Sequence, residues 1–155
     1  MTKKITLITG GSRSGKSRLA HARALAYPER IFLATAEATD PEMAKRIAKH
    51  REERGSEFMT VEEPLYLARA IQDHAKAAGV LWVDCLTFWL NNLFHYWDDG
   101  TPVGAVRISK EIEDFLKALV DAETCLILVT NEVNMGVVGA DALTRRFVDQ
   151  QASLN

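Results

Sequence analysis

Residues 10–17 have the residue types and the spacing of a phosphate-binding loop. The run is Gly10-Gly11-Ser12-Arg13-Ser14-Gly15-Lys16-Ser17, and it matches the pattern G-x-x-x-x-G-K-[ST] at every fixed position. In such a loop the backbone N–H groups converge on phosphate oxygens, the lysine reaches the β- and γ-phosphates, and the last hydroxyl ligates Mg²⁺. The sequence therefore predicts a site for a nucleoside triphosphate, with Lys16 and Ser17 as its cation and its metal ligand.

An acidic residue stands at the end of a later apolar run. Val80-Leu81-Trp82-Val83 is typical of a buried strand, and Asp84 follows it directly. Proteins with a phosphate-binding loop use an acid in this position to hold Mg²⁺. We therefore predict Ser17 and Asp84 as the Mg²⁺ ligands. A second interpretation is that Asp84 caps the helix that begins a few residues later, and the two roles are compatible.

A predicted helix that begins at Asp40-Pro41 carries a third group of candidate residues. His50 falls on the same helical stripe as Met43 and Ile47, so we expect it to turn toward the body of the protein. The pattern leaves two roles open: a partly buried structural histidine, or a nucleophile that attacks an α-phosphorus and holds a nucleotidyl group. Nearby cations would stabilise the charge that develops in that attack. The charged residues of this helix are otherwise typical of a solvated face, and they are Lys45, Arg46, Lys49, Arg51 and Arg54, with Glu52 and Glu53.

Strands that alternate with helices are predicted to position these residues. Apolar, β-branched runs predict strands at 5–9, 31–35, 58–61, 80–83 and 124–129. Periodicity and capping signals predict helices at 16–27, 41–54, 64–79, 87–96 and 106–120, and a last one from near Asp141. Strands that are near-continuous apolar runs are typical of a parallel sheet covered on both faces. The pattern predicts one α/β domain.

Composition and charge limit the function classes. The formal net charge is −2 and the pI is about 6.1, which argues against a protein that binds nucleic acid through bulk positive charge. Cys85 and Cys125 are far apart, each inside an apolar run, so we expect buried, reduced thiols and no cysteine metal site. No apolar stretch approaches the roughly 18 residues of a membrane span. We therefore expect a cytoplasmic protein.

Five segments together resemble one enzyme family. They are Thr9 to Arg18, Leu33-Ala34-Thr35-Ala36, Met43 to Arg51, Val83-Asp84-Cys85-Leu86-Thr87 and Thr130-Asn131-Glu132-Val133. In this order and spacing they resemble the bifunctional adenosylcobinamide kinase / adenosylcobinamide-phosphate guanylyltransferase family of cobalamin biosynthesis. The resemblance implies a P-loop NTPase-like (RecA-like) α/β fold, with a mostly parallel sheet and helices on both faces.

The resemblance also implies an activity and a set of site residues. The family phosphorylates adenosylcobinamide with ATP or GTP, then transfers GMP from GTP to that phosphate through a GMP-histidine intermediate and releases pyrophosphate. By motif position the histidine is His50, which with Lys16 is the expected catalytic pair. Glu132 either completes the polar site or caps a turn. The implied nucleotide contacts are Gly10 to Ser17, Ala34, Thr35, Ala36, Arg51, Glu52, Glu53, Arg54, Glu62 and Asp84, with Ser17 and Asp84 on Mg²⁺.

The resemblance carries expectations about organisation as well. The family forms ring-like homo-oligomers, such as trimers. It continues beyond position 155 with the rest of a helix and a final strand, so residues 1–155 are expected to be one nucleotide-binding domain without that strand. Two positions depart from the family pattern: Asn134 and Gly139 replace a common glycine and a common proline.

Two other functions agree with the phosphate-binding loop alone. A small-molecule kinase would transfer phosphate to an alcohol with no covalent intermediate. A non-catalytic nucleotide-binding module would bind tightly without turnover and would use its nucleotide state to control docking to a partner. A covalent GMP adduct distinguishes the bifunctional enzyme from both.

Overall fold

Five parallel strands form one sheet at the centre of the protein. The structure is a computed structural model that describes residues 2–132 and 142–155. The strand order is β1-β5-β4-β2-β3, and every pairing among the described strands is parallel. The strands are β1 Ile5–Gly10, β2 Arg30–Ala34, β3 Met59–Glu62, β4 Val80–Asp84 and β5 Cys125–Asn131. The expectations for Val133, Asn134, Met135-Gly136, Gly139 and Asp141 lie outside the described residues.

Both faces of the sheet bury apolar side chains, because successive residues of a strand point to opposite faces. One face carries Ile31, Leu33, Leu81, Val83, Leu126 and Leu128, and the other carries Ile8, Phe32, Val80, Trp82, Ile127 and Val129. This arrangement explains the near-continuous apolar runs of the strands and confirms the predicted α/β class.

In the described parts of the chain, six α-helices cover the two faces. They are α1 Lys16–Ala24, α2 Pro41–Arg54, α3 Leu67–His74, α4 Leu86–Trp97, α5 Pro102–Asp121 and α6 Ala142–Leu154. Residues of α3, α4 and α5 pack in the core of the first face, and Ala20 and Ala24 of α1 pack in the core of the second. In the part of the chain that is described, none of these helices combines the length and the apolar character that crossing a bilayer requires.

Helix α2 begins where the sequence predicts. The Asp40 side chain accepts a hydrogen bond of 2.8 Å from the backbone N–H of Met43, and Pro41 occupies the first turn. These are the two capping features that marked the start of the helix. The helix ends at Arg54, and Gly55 follows with a φ of 60°, as expected of a residue that stops a helix.

Two helix starts differ from the prediction for reasons of tertiary structure. Helix α3 begins at Leu67 rather than Pro64, because the Glu63 carboxylate accepts hydrogen bonds from the backbone N–H groups of Leu65 and Tyr66 and holds a turn there. Helix α5 begins at Pro102, before the predicted Val106. Thr101 caps it by accepting from the N–H of Gly104.

Candidate nucleotide site

The predicted catalytic and binding residues lie at one edge of the sheet. The phosphate-binding loop follows β1, Asp84 ends β4, Glu62 ends β3, and Glu132 follows β5. Because all the strands are parallel, their carboxyl ends share one edge, which is where α/β proteins bind ligands. The sheet therefore gathers residues that are far apart in sequence.

The phosphate-binding loop has the backbone shape that its glycines permit. Gly15 precedes α1 in a left-handed conformation with a φ of 86°, and Gly10 has a φ of 156°. A Cβ at Gly10 would lie 2.9 Å from the Ser14 Oγ, so a larger residue would crowd the loop. The Lys16 ammonium donates to the Gly11 carbonyl and lies 3.3 Å from the Ser14 Oγ. The lysine thus folds back over the loop, in position to meet a phosphate.

Ser17 and Asp84 are in direct contact. The Ser17 hydroxyl donates a 2.7 Å hydrogen bond to the Asp84 carboxylate, which joins the first turn of α1 to the end of β4. Two oxygen donors at this spacing suit Mg²⁺, which prefers oxygen ligands and takes the rest of its shell from water and phosphate. The described residues bring no three His, Cys, Asp or Glu side chains together as a metal cluster. A cation here would depend on the nucleotide for its other ligands.

Burial raises the pKa of the Asp84 carboxyl, although its neighbours oppose the effect. The hydrogen bond from Ser17 lowers this pKa, and so do electrostatic interactions with His50, Arg54 and Lys16. His50 and Arg54 belong to α2, whose Arg54 packs on the Phe32 ring of the sheet. Sequence reasoning could not place His50 relative to the phosphate-binding loop.

We expect Asp84→Asn to make the nucleotide-free protein more stable and the enzyme less active. A carboxyl whose pKa rises on folding destabilises the folded state above that pKa, and a neutral amide removes this cost. The gain should be present at neutral pH and should shrink as the pH falls through the raised pKa. Urea unfolding of both proteins at about pH 7 and about pH 4 measures it. An unchanged or lower free energy of unfolding at neutral pH would contradict the prediction.

The cap of α4 is Cys85, which corrects one interpretation of Asp84. The Cys85 sulfur accepts from the N–H of Phe88 at 3.4 Å, so Asp84 does not cap this helix and its carboxylate is available to the site. Burial raises the pKa of the Cys85 thiol to about 12. Cys85 and Cys125 are both buried and unbridged, as the sequence predicts.

Thr35 supports the site from within the protein. Its fully buried hydroxyl donates to the Cys85 carbonyl at 2.7 Å and accepts from the Cys85 N–H at 2.9 Å. The Asn92 amide donates to the carbonyls of Thr35 and Pro64 at 2.8 and 3.1 Å. The Thr35 hydroxyl therefore holds the end of β4, and the Thr35 N–H and carbonyl are also occupied, by Asp84 and Asn92. Asn92 is a supporting residue that sequence reasoning missed; its signal is an amide inside an apolar helix.

His50 is more exposed than its helical stripe predicts. Its side chain is 51% exposed, so the expectation that it turns inward is wrong. The reason is that α2 packs loosely: Met43 and Ile47 are only half-buried, and Arg54 is its one buried residue. The His50 Nδ1 lies 3.3 Å from a carboxylate oxygen of Glu53, one turn further along the helix. His50 is thus accessible and has an acidic partner.

Arg54 differs from the other basic residues of α2. It is 8% exposed, and its guanidinium carbon lies 3.6 Å from the centre of the Phe32 ring. Desolvation lowers the pKa of Arg54, while the charge of Asp84 acts in the opposite direction. Arg51, by contrast, is exposed and lies 3.9 Å from Glu62 on β3. The sequence grouped these arginines as one charged face, and the structure separates them.

Comparison with known proteins identifies the family of this chain. The sequence model of the family described as cobinamide kinase / cobinamide phosphate guanyltransferase matches residues 6–155. The chain belongs to this family. The bifunctional adenosylcobalamin biosynthesis protein CobP of Pseudomonas aeruginosa is 44% identical over 96% of this chain and 83% of its own length. Protein CobU of Escherichia coli, with the same description, is 35% identical over 96% of this chain and 86% of its own length.

A solved structure supports the fold of this family member independently. A KaiC-like protein from Pyrococcus horikoshii superposes with a TM-score of 0.52 at 18% identity, covering 94% of this chain and 67% of that protein. At this identity the likeness concerns the fold alone, which is P-loop NTPase-like. The cobinamide kinase / guanyltransferase family is a family of bifunctional enzymes, so this chain is a kinase and guanylyltransferase of cobalamin biosynthesis.

Proposed function

We propose that one phosphate site serves two successive transfers. In the first, ATP or GTP phosphorylates the hydroxyl group of adenosylcobinamide. In the second, GMP passes from GTP to His50 and then to the new phosphate, giving adenosylcobinamide-GDP and pyrophosphate. The observation that carries the proposal is that Arg51, the residue after His50, lies 3.9 Å from Glu62 at the end of β3, on the sheet edge where Asp84 is bonded to Ser17 of the phosphate-binding loop.

The phosphate-binding loop would hold the triphosphate in both transfers. Its exposed backbone between Gly11 and Gly15 faces the site, and the amino terminus of α1 adds a positive dipole end. Lys16 would move from the Gly11 carbonyl to the phosphates when a nucleotide binds. The other residues that we propose as nucleotide contacts are Ala34, Thr35, Ala36, Arg51, Glu52, Glu53, Arg54, Glu62 and Asp84.

Ser17 and Asp84 are the proposed ligands of Mg²⁺. The two oxygen atoms already lie 2.7 Å apart, and a hydroxyl with a carboxylate is the donor set this ion takes beside nucleotide phosphates. Bound there, the ion would neutralise charge on the phosphate oxygens. The Ser17 hydroxyl, which keeps its proton, and the Asp84 carboxylate would hold the ion in position, and the charge of Asp84 would be balanced by it.

His50 would act as the nucleophile of the second transfer. If Nδ1–H donates to the Glu53 carboxylate 3.3 Å away, the lone pair of Nε2 is free. This nitrogen forms a bond to the α-phosphorus of GTP as the bond to the β-phosphate oxygen breaks and pyrophosphate leaves. The oxygen of the corrinoid phosphate then displaces the imidazole. Arg54, which is buried near Asp84, would offset charge on the transferring group.

We also propose where the enzyme acts, how it assembles and what it takes as substrate. A cytoplasmic homo-oligomer such as a trimer, with no nucleic-acid partner, would take the corrinoid as its substrate. The exposed position of His50 supports the corrinoid as acceptor, because a large molecule can reach this side chain from solvent.

Labelling with two forms of GTP tests the function. With Mg²⁺ and α-labelled GTP, we expect a protein adduct that is labile in acid and stable in alkali, and γ-labelled GTP should give none. Digestion should place the label in a peptide of α2, which contains His50. A kinase without a covalent intermediate would give no adduct and would still phosphorylate adenosylcobinamide. A nucleotide-binding module would do neither.

A further inference from the structure

Glu132 lies immediately beside the phosphate-binding loop, at the carboxyl end of β5. The register pairs Gly10 of β1 with Asn131 of β5, and the N–H of Glu132 then donates to the Gly10 carbonyl at 3.0 Å. Strand β5 lies between β1, which leads into the loop, and β4, which ends at Asp84. The residue after β5 therefore lies between the loop and the predicted metal ligand.

The side chain of Glu132 is held in place but remains accessible. The Thr9 hydroxyl, just before the loop, donates a hydrogen bond to the Glu132 carboxylate. Glu132 is exposed, and a carboxylate has about four lone-pair positions, so one hydrogen bond leaves it able to accept another. The backbone N–H already continues the strand pairing, so the carboxylate is not needed to end the strand.

Hydrogen bonds with α4 and α6 hold the carboxyl end of β5 in place. The N–H of Asn131 donates to the Thr87 hydroxyl of α4 at 2.9 Å. The fully buried Gln151 of α6 donates to the Thr130 hydroxyl at 2.9 Å. A catalytic base must already lie in its reactive position when the substrate binds. The hydrogen bonds with the two helices keep the end of β5 in place and so favour this.

The position of the Glu132 carboxylate indicates a catalytic role. It brings negative charge to a site that binds a triphosphate, which disfavours binding. The other carboxylates proposed at this edge have roles or partners of their own: Asp84 is the proposed Mg²⁺ ligand bonded to Ser17, Glu53 lies against His50, and Glu62 lies against Arg51. Phosphorylation of an alcohol needs a proton acceptor near the γ-phosphate. Glu132 is bonded directly to the strand that leads into the loop, through its N–H to Gly10 and through its carboxylate to Thr9.

We propose that Glu132 is the general base of the kinase half-reaction, an inference that rests on the kinase part of the proposed function. Its carboxylate takes the proton of the substrate hydroxyl. The oxygen forms a bond to the γ-phosphorus as the bond from that phosphorus to the β-phosphate oxygen breaks, and the nucleoside diphosphate leaves. The proton passes from Glu132 to solvent. The guanylyl transfer does not use Glu132, because its nucleophiles are a neutral imidazole and a phosphate oxygen, neither of which must lose a proton.

The two half-reactions provide the test. In Glu132→Gln, we expect the kcat of adenosylcobinamide phosphorylation to fall about 10²-fold or more, with the KM for nucleotide changed little. GMP labelling of the same variant, and GMP transfer to corrinoid phosphate made beforehand with the wild-type enzyme, should stay within about threefold, and they also report that the variant is folded. Thr9→Val, which removes only the positioning hydrogen bond, should lower the kinase kcat by about tenfold.

Glu123→Gln is the matched control. Glu123 is an exposed glutamate before the amino end of β5, at the opposite edge of the sheet, and its loss should change neither half-reaction. The proposal is overturned if Glu132→Gln keeps its kinase kcat, or if it loses phosphorylation and GMP labelling together, which would indicate a structural role. Failure of the wild-type protein to form a GMP adduct would count against the function of His50 and would leave the kinase test intact.

Discussion

His50→Ala is expected to abolish GMP transfer and to leave phosphorylation of adenosylcobinamide in place. Without the imidazole there is no atom to attack the α-phosphorus, so the rate of guanylyl transfer should fall by about 10³-fold or more. The kinase half-reaction transfers the γ-phosphoryl group directly, and its kcat should stay within about threefold. The phosphorylated corrinoid should therefore accumulate. Chromatography of the corrinoid products, with protein labelling by α-labelled GTP, measures both effects.

A second histidine serves as the control for this variant. His95 is exposed on α4 and packs only against the neighbouring Tyr96 ring among the described contacts, so His95→Ala should keep both activities. Exposure of His50 makes its own substitution structurally mild, since no core contact is lost. A His50→Ala protein that still formed an acid-labile GMP adduct would show that another residue carries the nucleotide.

Lys16→Ala is expected to impair both half-reactions. The ammonium lies over the loop that holds the triphosphate, and both transfers develop charge on phosphate oxygens there. Loss of one such charged contact typically costs about 10²–10³-fold in rate, and the affinity for triphosphate should fall as well. Titration calorimetry with GTP measures the affinity, and the two product assays measure the rates.

A distant lysine tests whether this effect is specific. Lys117 is exposed on α5, away from the carboxyl edge of the sheet, and Lys117→Ala should leave affinity and both rates unchanged. Which of the two half-reactions Lys16→Ala impairs is as informative as how far each rate falls. If Lys16→Ala lost GMP labelling and kept the kinase rate, the two transfers would not share the phosphate-binding loop.

Local signals made much of this site predictable. The strand, loop and helix from Ile5 to Ala24 follow from adjacent residues, as does the cap of α2 by Asp40. Asp84 was identifiable because a buried strand leads straight into it. In each case the residues that determine the structure are neighbours in sequence.

Features that depend on distant partners were not predictable. Arg51 and Arg54 are one turn apart and chemically identical, but Arg54 is buried with its guanidinium over the Phe32 ring of β2. The stripe of Met43, Ile47 and His50 predicts which face of α2 turns toward the protein. It does not predict how closely other residues pack against that face. The hydrogen bond from Thr9 to Glu132 joins residues 123 positions apart in sequence and depends on the pairing of β1 with β5.

The use of one phosphate-binding loop for both transfers has a kinetic consequence. The sequence contains one such motif, between Gly10 and Ser17, and the proposed chemistry uses it twice. The spent diphosphate of the first transfer must leave before GTP can occupy the same backbone amides for the second. Nucleotide exchange is therefore an obligatory step between the two reactions, and a rising diphosphate pool in the cell would slow the second reaction by product inhibition.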